Sequence, residues 1–248
     1  MIVIYRISNN SNKKLKLENA TKEACFVNFC NYVLTEQDFL IVLADNVDTT
    51  LGSFLDSNLP KNCRLFQVST GSNGASFKLQ IELACKLPSN ETVFLHEDDY
   101  LYREGRPNTD GAKFCNLLVM EGLAKADYIS LYDHPDKYLP PSSNGNPLIT
   151  ESGVENTGVF LTSSSHWKYT NSTTCTFAAK VGTVLQDRDV WLKWANGPND
   201  FQAFLELRSK GRFLATPIPG YATHADLGSL SPLFDWSSIR SSSSANTA

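Results

Sequence analysis

The chain has 248 residues, 42% of them hydrophobic and 19% charged, with a formal net charge of -4. This length and apolar content suffice for a sizeable core and exclude a disordered or fibrous class. The acidic balance excludes an extended nucleic-acid surface, which needs clustered Lys and Arg, and the one basic cluster, Lys13-Lys14-Leu15-Lys16, reads as a solvated loop or helix start.

Residues 1–7, Met-Ile-Val-Ile-Tyr-Arg-Ile, give a strand pattern interrupted by Arg6, too short and wrongly flanked for a signal peptide. No run reaches the ~18 to 20 apolar residues of a membrane helix, so the expectation is a cytoplasmic protein with no transmembrane segment. Apolar spacing then predicts a helix over 22–34, a strand over 39–43 ending at Ala44-Asp45-Asn46, and a helix over 48–58 stopped near Pro60. A strand over 64–69, a helix over 75–87 and a strand over 92–95 follow. Such alternation predicts a parallel sheet covered on both faces, with ligand residues at the carboxyl ends of its strands, where Asp45 falls. Cysteines at 25, 30, 63, 85, 115 and 175 show no CxxC pair or zinc spacing and read as buried free thiols.

Two stretches of this half carry chemistry. After Ser69-Thr70, Gly71 and Gly74 flank Asn73 in a turn that opens a helix; glycines let a ligand approach the backbone, and a helix N-terminus favours anions. The turn matches neither the dinucleotide fingerprint nor the P-loop, and a plain loop-to-helix connection is the alternative. Further on, Val93, Phe94 and Leu95 run straight into Glu97, Asp98 and Asp99, so an apolar strand delivers three carboxylates at its end. Adjacent like charges raise one another's pKa values unless a cation sits among them. Mg²⁺ takes one or two carboxylates and fills its other positions with water and phosphate oxygens, which suits a nucleoside-diphosphate ligand. An acidic turn capping the strand in solvent is the alternative.

The second half is less regular. A helix is expected within 108–125 and a strand over 128–132, ending at Asp133-His134-Pro135, where a turn outweighs a ligand role. Residues 140–147 read as a surface loop, and 157–162 and 174–179 as a strand pair around the polar loop 163–172. In that loop His166, Trp167 and Tyr169 suit stacking on a sugar ring, with simple packing of Trp167 as the alternative. Apolar residues recur over 187–195; Asn199-Asp200 then starts a helix that stops at Gly211, where Asp200 suits a cap. A strand over 212–216 leads through Pro217-Ile-Pro-Gly to His224 and Asp226, a flap is expected over 227–236, and the Ser-rich residues 237–248 form a disordered tail.

Asn73-Gly-Ala-Ser before a helix, a Ser-Asn-Glu turn, and Val93-Phe-Leu-His-Glu-Asp-Asp99 resemble the nucleotide-sugar half of GT-A glycosyltransferases, above all glycosyltransferase family 2, over roughly residues 1–103. Glu97-Asp98-Asp99 is a variant of that family's Asp-x-Asp metal motif, with His96 where many members place the first acid. The acid-aromatic pair Asp200-Phe201 opening an amphipathic helix, and His224 after the last strand, match by position the family's general base and final metal ligand; Asn199 replaces the acid often found before that base.

The resemblance implies an α/β GT-A (Rossmann-like) fold with a mixed, mostly parallel central sheet flanked by helices. It implies one catalytic domain over 1–236, with a nucleotide-sugar half at 1–103 and an acceptor half at 104–236. Its activity would be metal-dependent, inverting transfer from a nucleotide-diphosphate sugar to a hydroxyl of a glycan or other acceptor. Asp99 and His224 would hold Mn²⁺ or Mg²⁺, and Asp200 would be the base. Asp45, Gly71, Asn73, Gly74, Glu97 and Asp98 would hold the nucleotide, and His166, Trp167 and Tyr169 the acceptor. Two rivals stand beside it: a metal-dependent nucleotide or phosphoester hydrolase, for which four scattered histidines are few, and a non-catalytic carbohydrate-binding protein.

Overall fold

Short runs rich in β-branched and aromatic residues form β1 (Ile2–Ser8), β2 (Phe39–Asp45), β3 (Cys63–Val68) and β4 (Thr92–His96), all parallel, with Ile4 beside Ile41 and Leu95. The computed structural model describes residues 1–10, 14–105, 113–143, 145–197 and 199–239. Lys13, the start of the helix expected within 108–125 and residues 240–248 of the expected tail lie outside the described residues.

The crossovers are α1 (Lys22–Tyr32), α2 (Thr49–Asn58) and α3 (Asn73–Ala84), and each begins at a side-chain cap: Thr21, Asp48 and Ser72 accept from the backbone N–H three residues on. Because strand side chains alternate, β1 serves two cores. Tyr5 packs with Phe26 and Phe29 of α1 on one face, and Ile4 with Phe77 and Ile81 of α3 on the other. Buried Gln80 ties the second face down, its amide donating to the carbonyls of Ile4 (2.6 Å) and His96 (3.2 Å).

Beyond β4 come β5 (Tyr100–Tyr102), α4 (Phe114–Leu123), β6 (Tyr128–Ile129), β7 (Val159–Leu161), β8 (His166–Thr170), β9 (Phe177–Lys180), α5 (Val181–Gln186), α6 (Arg188–Lys193), α7 (Asp200–Ser209), β10 (Leu214–Ile218) and β11 (Ala222–His224). Nine strands make one sheet in the order β3-β2-β1-β4-β9-β6-β10-β8-β7, while β5 and β11 pair antiparallel beside it. Strand β9 is antiparallel between β4 and β6, and β6 and β10 resume the direction of the first four. The sheet is therefore mixed and crosses the boundary expected near residue 103 without a break.

Three expectations fail here. Segments 157–162 and 174–179 do not pair with each other: β7 pairs with β8, which occupies the expected polar loop, and β9 enters the middle of the sheet, where Ala178 and Ala179 are fully buried. Residues 227–236 are packed rather than a flap, since Trp236 is 1% exposed among Ala20, Cys25, Leu101 and Ala225 and its indole donates to Ser231 O (2.7 Å). Ser237 and Ser238 belong to a 3-10 turn, and Asn19 donates to Ile239 O (2.8 Å), so any tail starts later than expected. The six cysteines are free, as expected, and no helix among the described residues is long and apolar enough to cross a membrane.

Gly74 is required by packing. A Cβ there would lie 2.4 Å from Ala195 O, where α3 meets the turn before α7. Gly74→Ala should lower stability by about 1–3 kcal/mol, read as a fall of several degrees in the thermal midpoint. An unchanged midpoint with weakened nucleotide binding would instead return Gly74 to the ligand site.

Candidate active site

The carboxyl ends of β1, β2 and β4 open into a cleft of about 300 Å³ that Asp45, Gly71, Asn73, Glu97, Asp98, Asp99 and His224 all line. Arg6, Ser8 and Lys16 line it too. Gly71 has φ +81°, the left-handed turn that leads into the Ser72 cap of α3. Gly74 does not line the cleft; its role is the close approach to Ala195. The Asp45 carboxylate is taken up internally, accepting from Thr70 N (2.9 Å), the Thr70 hydroxyl and Asn46 Nδ2 (2.9 Å), so it fixes the β2 end to the Gly71 turn.

Each carboxylate of the acidic run has its own cation. Arg6, 6% exposed on β1, donates through Nη2 to Glu97 Oε1 (2.9 Å) and through Nη1 to Asn73 Oδ1 (2.6 Å). Lys22, from the first turn of α1, donates to Asp98 Oδ2 (2.6 Å), which also accepts from Ser8 N (2.8 Å). Lys16 Nζ lies 2.7 Å and His224 Nε2 3.2 Å from Asp99 Oδ2. Mutual repulsion is thus answered by the chain's own cations.

The three acids separate in their proton affinity. Burial pushes Glu97 and Asp98 above the usual carboxylate range, against the pull of Arg6 and Lys22. At Asp99 burial is outweighed by His224 and Lys16, which hold it well below that range, and the same contact raises His224 against its own desolvation. Pairing of β11 with β5 sets His224 opposite Tyr100, the residue after Asp99, and turns its other ring nitrogen towards Asp226 Oδ2 (3.5 Å). Asp226 is 2% exposed; Lys14 Nζ stands 3.0 Å from its Oδ2 as an ion pair, while its buried Oδ1 receives no hydrogen bond. Ligand atoms of Asp99, His224 and Asp226 all lie within 4.8 Å of one another. Two carboxylates and an imidazole, with one unpartnered oxygen among them, fit a divalent cation.

Asp200 stands at the first turn of α7, capped by Asn199, whose Oδ1 accepts from Gln202 N (3.1 Å). Burial, then the charges of Glu97 and Asp136, raise its carboxyl to about 7, with His224 pulling the other way. Asp200 is not among the residues that line the cleft; it is linked to it through the charges of Glu97 and His224. The competing acids are otherwise engaged: Asp187 accepts from Arg212 Nε and Tyr128 OH (both 2.8 Å), and the Asp189 side chain is 98% exposed.

His96 is no ligand. Fully buried, stacked on Tyr5 and hydrogen-bonded to Tyr102 OH (2.8 Å), it is pushed down to about 3 by desolvation and stays neutral. Asp133 and His134 make the expected turn, His134 Nδ1 accepting from Asp136 N (3.1 Å). Of the residues expected to meet an acceptor, Trp167 is fully buried, stacked 5.9 Å from Phe160, with its indole donating to Thr162 Oγ1 (2.9 Å), and Tyr169 lines a second cavity apart from the cleft. His166 is exposed on β8, and Tyr169 packs against Phe160 and Phe213, so none of the three lines the cleft. Arg6, Lys16, Lys22 and Asp226 escaped sequence reading. Arg6 had a signal, a lone cation inside an apolar strand; Lys16 was hidden in an ordinary basic run.

No protein-family model matches the chain, and no curated protein does. Its structure is similar to that of a putative glucose-1-phosphate thymidylyltransferase from Bacillus anthracis, with 10% identity, 91% of this chain and 90% of that one covered, and a TM-score of 0.52. S. aureus TarS aligns at 12% identity, 87% and 57% coverage and TM-score 0.47, and the galactosyltransferase LgtC at 10%, 83% and 70%, and 0.45. The shared property is the fold, a mixed α/β sheet flanked by helices.

Two outcomes follow from the charges. Arg6→Met leaves Glu97 buried without its cation and should destabilise by on the order of 3 kcal/mol, the low end for a buried pair because the Glu97 side chain keeps 18% exposure; chemical denaturation reads this directly. Since Asp200 rises from 3.8 to about 7 on folding, its contribution to stability is full below about pH 4 and is lost as pH climbs through about 7. Asp200→Asn should accordingly unfold at a higher temperature than wild type at pH 8 and match it near pH 4.

Proposed function

We propose that the protein is a metal-dependent glycosyltransferase that moves a sugar from a nucleotide-diphosphate sugar to an acceptor hydroxyl with inversion at the anomeric carbon. One observation carries the reading: a single cleft at the strand ends is lined by Asp99 and His224 of the candidate cation set, with Asp226 beside them, and by Arg6 and Lys16, cations that pair with Glu97 and Asp99 here and could exchange those partners for a diphosphate. The Gly71 turn and the N-terminus of α3 add backbone N–H groups at the same opening.

Asp99, His224 and Asp226 would hold Mn²⁺ in preference to Mg²⁺, because an imidazole is a softer ligand than a carboxylate. When bound, the cation neutralises charge gathering on the leaving diphosphate. Lys16 and Arg6 supply further positive charge on that side. Glu97 and Asp98, already oriented by Arg6, Lys22 and Ser8 N, would face the ribose or sugar hydroxyls. Asp200, with a carboxyl near 7, suits a base that takes the acceptor proton at neutral pH. The single displacement needs only this one carboxylate. A two-metal hydrolase is less well supported, since among the described residues only His224 of the histidines joins the acidic group; His96, His134 and His166 are placed elsewhere.

Turnover separates these readings. With a panel of nucleotide sugars and Mn²⁺, wild type should release nucleoside diphosphate at a rate that rises with pH through about 7, the value at Asp200. Asp200→Asn should lower that rate by ~10² to 10⁴-fold while leaving nucleotide affinity within a few-fold. Release of pyrophosphate from a nucleoside triphosphate mixed with a sugar 1-phosphate, with no turnover of nucleotide sugars, would make the protein a nucleotidyltransferase, and full activity in the variant would remove Asp200 as base.

A further inference from the structure

A second cavity, of about 350 Å³, lies between the loop over 146–157, the end of β8 and the outer side of α7. It shares no lining residue with the cleft. Aliphatic Leu148, Val154 and Leu205 contribute part of its surface, with Leu148 and Val154 64% and 58% exposed. Asn146, Glu155, Asn171 and Arg208 are among its polar lining, and Tyr169 adds an aromatic ring.

Those polar groups are held by a network that the proposed chemistry does not use. Lys137 and Lys168 are 1% and 4% exposed. Lys168 Nζ lies 3.0 Å from Asp133 and 3.3 Å from Glu155, and Lys137 Nζ lies 3.7 Å from Glu155 and donates to Asn171 Oδ1. Burying charge at this density costs several kcal/mol per ion before pairing. The return is rigidity: carboxylate and amides are fixed in place, with Glu155 Oε2 held by the Lys168 ammonium and Oε1 facing Lys137.

We propose that this second cavity binds one neutral hexose unit of the acceptor, a reading that rests on the transferase function above. A sugar ring offers aliphatic C–H faces and hydroxyls that both donate and accept, which matches exposed Leu and Val beside Glu and Asn, and the cavity lies within the ~300 to 1,000 Å³ typical of ligand sites. The Glu155 carboxylate and the Arg208 guanidinium both line the cavity, so its wall carries no excess of either sign and suits a neutral ligand. The cavity also adjoins the element that carries the proposed base: its lining residues Leu205 and Arg208 lie on α7, the helix whose first residue is Asp200.

The test is saturation-transfer NMR with methyl glucoside, galactoside, mannoside and N-acetylglucosaminide at millimolar concentration, on wild type, Val154→Trp and Asn156→Ala. Both substitutions are at exposed cavity positions and spare the cleft. At least one hexoside should bind wild type, lose affinity tenfold or more when Val154→Trp fills the cavity, and weaken in Asn156→Ala, with nucleoside-diphosphate binding unchanged. The proposal is overturned if no hexoside binds, if binding survives Val154→Trp, or if inorganic phosphate competes. Hexoside binding that Val154→Trp abolishes in a protein that binds no nucleotide would uphold the sugar site and overturn the transfer reading alone.

Discussion

Three consecutive carboxylates delivered to one buried strand end must be neutralised. Left alone, each would pay the desolvation of a charge beside two like charges, so folding requires cations at the same spot. The chain brings them from separate elements: Arg6 from β1, Lys22 from α1 and Lys16 from the segment before α1, each within hydrogen-bonding distance of a different acid. The first core, the α1 crossover and the Gly71 turn are tied together at this point. The cleft is consequently balanced without any ligand, and a nucleotide or a cation that enters must exchange partners with residues already engaged.

The second constraint is topological. Had β9 not entered antiparallel between β4 and β6, the sheet would not carry the chain onward to β10 and back through β11 beside Asp99. The β5–β11 pair is short, but it places His224 between two carboxylates with one ring nitrogen towards each. Asp200 stands outside the cleft lining, at the N-terminus of α7, where burial and the charge of Glu97 raise its proton affinity; Asp187 is paired with Arg212, and the Asp189 side chain is in solvent.

Much of this was legible. Short apolar runs and apolar residues at helical spacing located the first four strands and three helices to within a few residues, because local propensity and tertiary packing agree there. Asp45, Gly71, Asn73, Glu97, Asp98, Asp99 and His224 do meet in the cleft, since each sits at a strand end or a turn whose position the alternation dictates. Reading failed where partners are chosen by tertiary contact. Segment 166–170 has polar character along the chain, yet its alternate residues Trp167 and Tyr169 pack against Phe160, which only the sheet order reveals. Gly74 looked like a ligand glycine because spacing does not show Ala195 pressing on it. The counter-cations were invisible for the same reason: nothing local says that Lys16 meets Asp99.

The most direct measurement is thermal unfolding against a panel of nucleoside diphosphates, with and without Mn²⁺, on wild type and Asp99→Ala. A nucleotide at ~100 times its dissociation constant should add about 2.7 kcal/mol of stability, a shift of several degrees. The account predicts that one nucleotide stabilises wild type only when Mn²⁺ is present and that Asp99→Ala abolishes the shift. If no nucleotide moves the midpoint with Mn²⁺ present, the balanced charges at the β4 end serve folding alone and the donor site is contradicted.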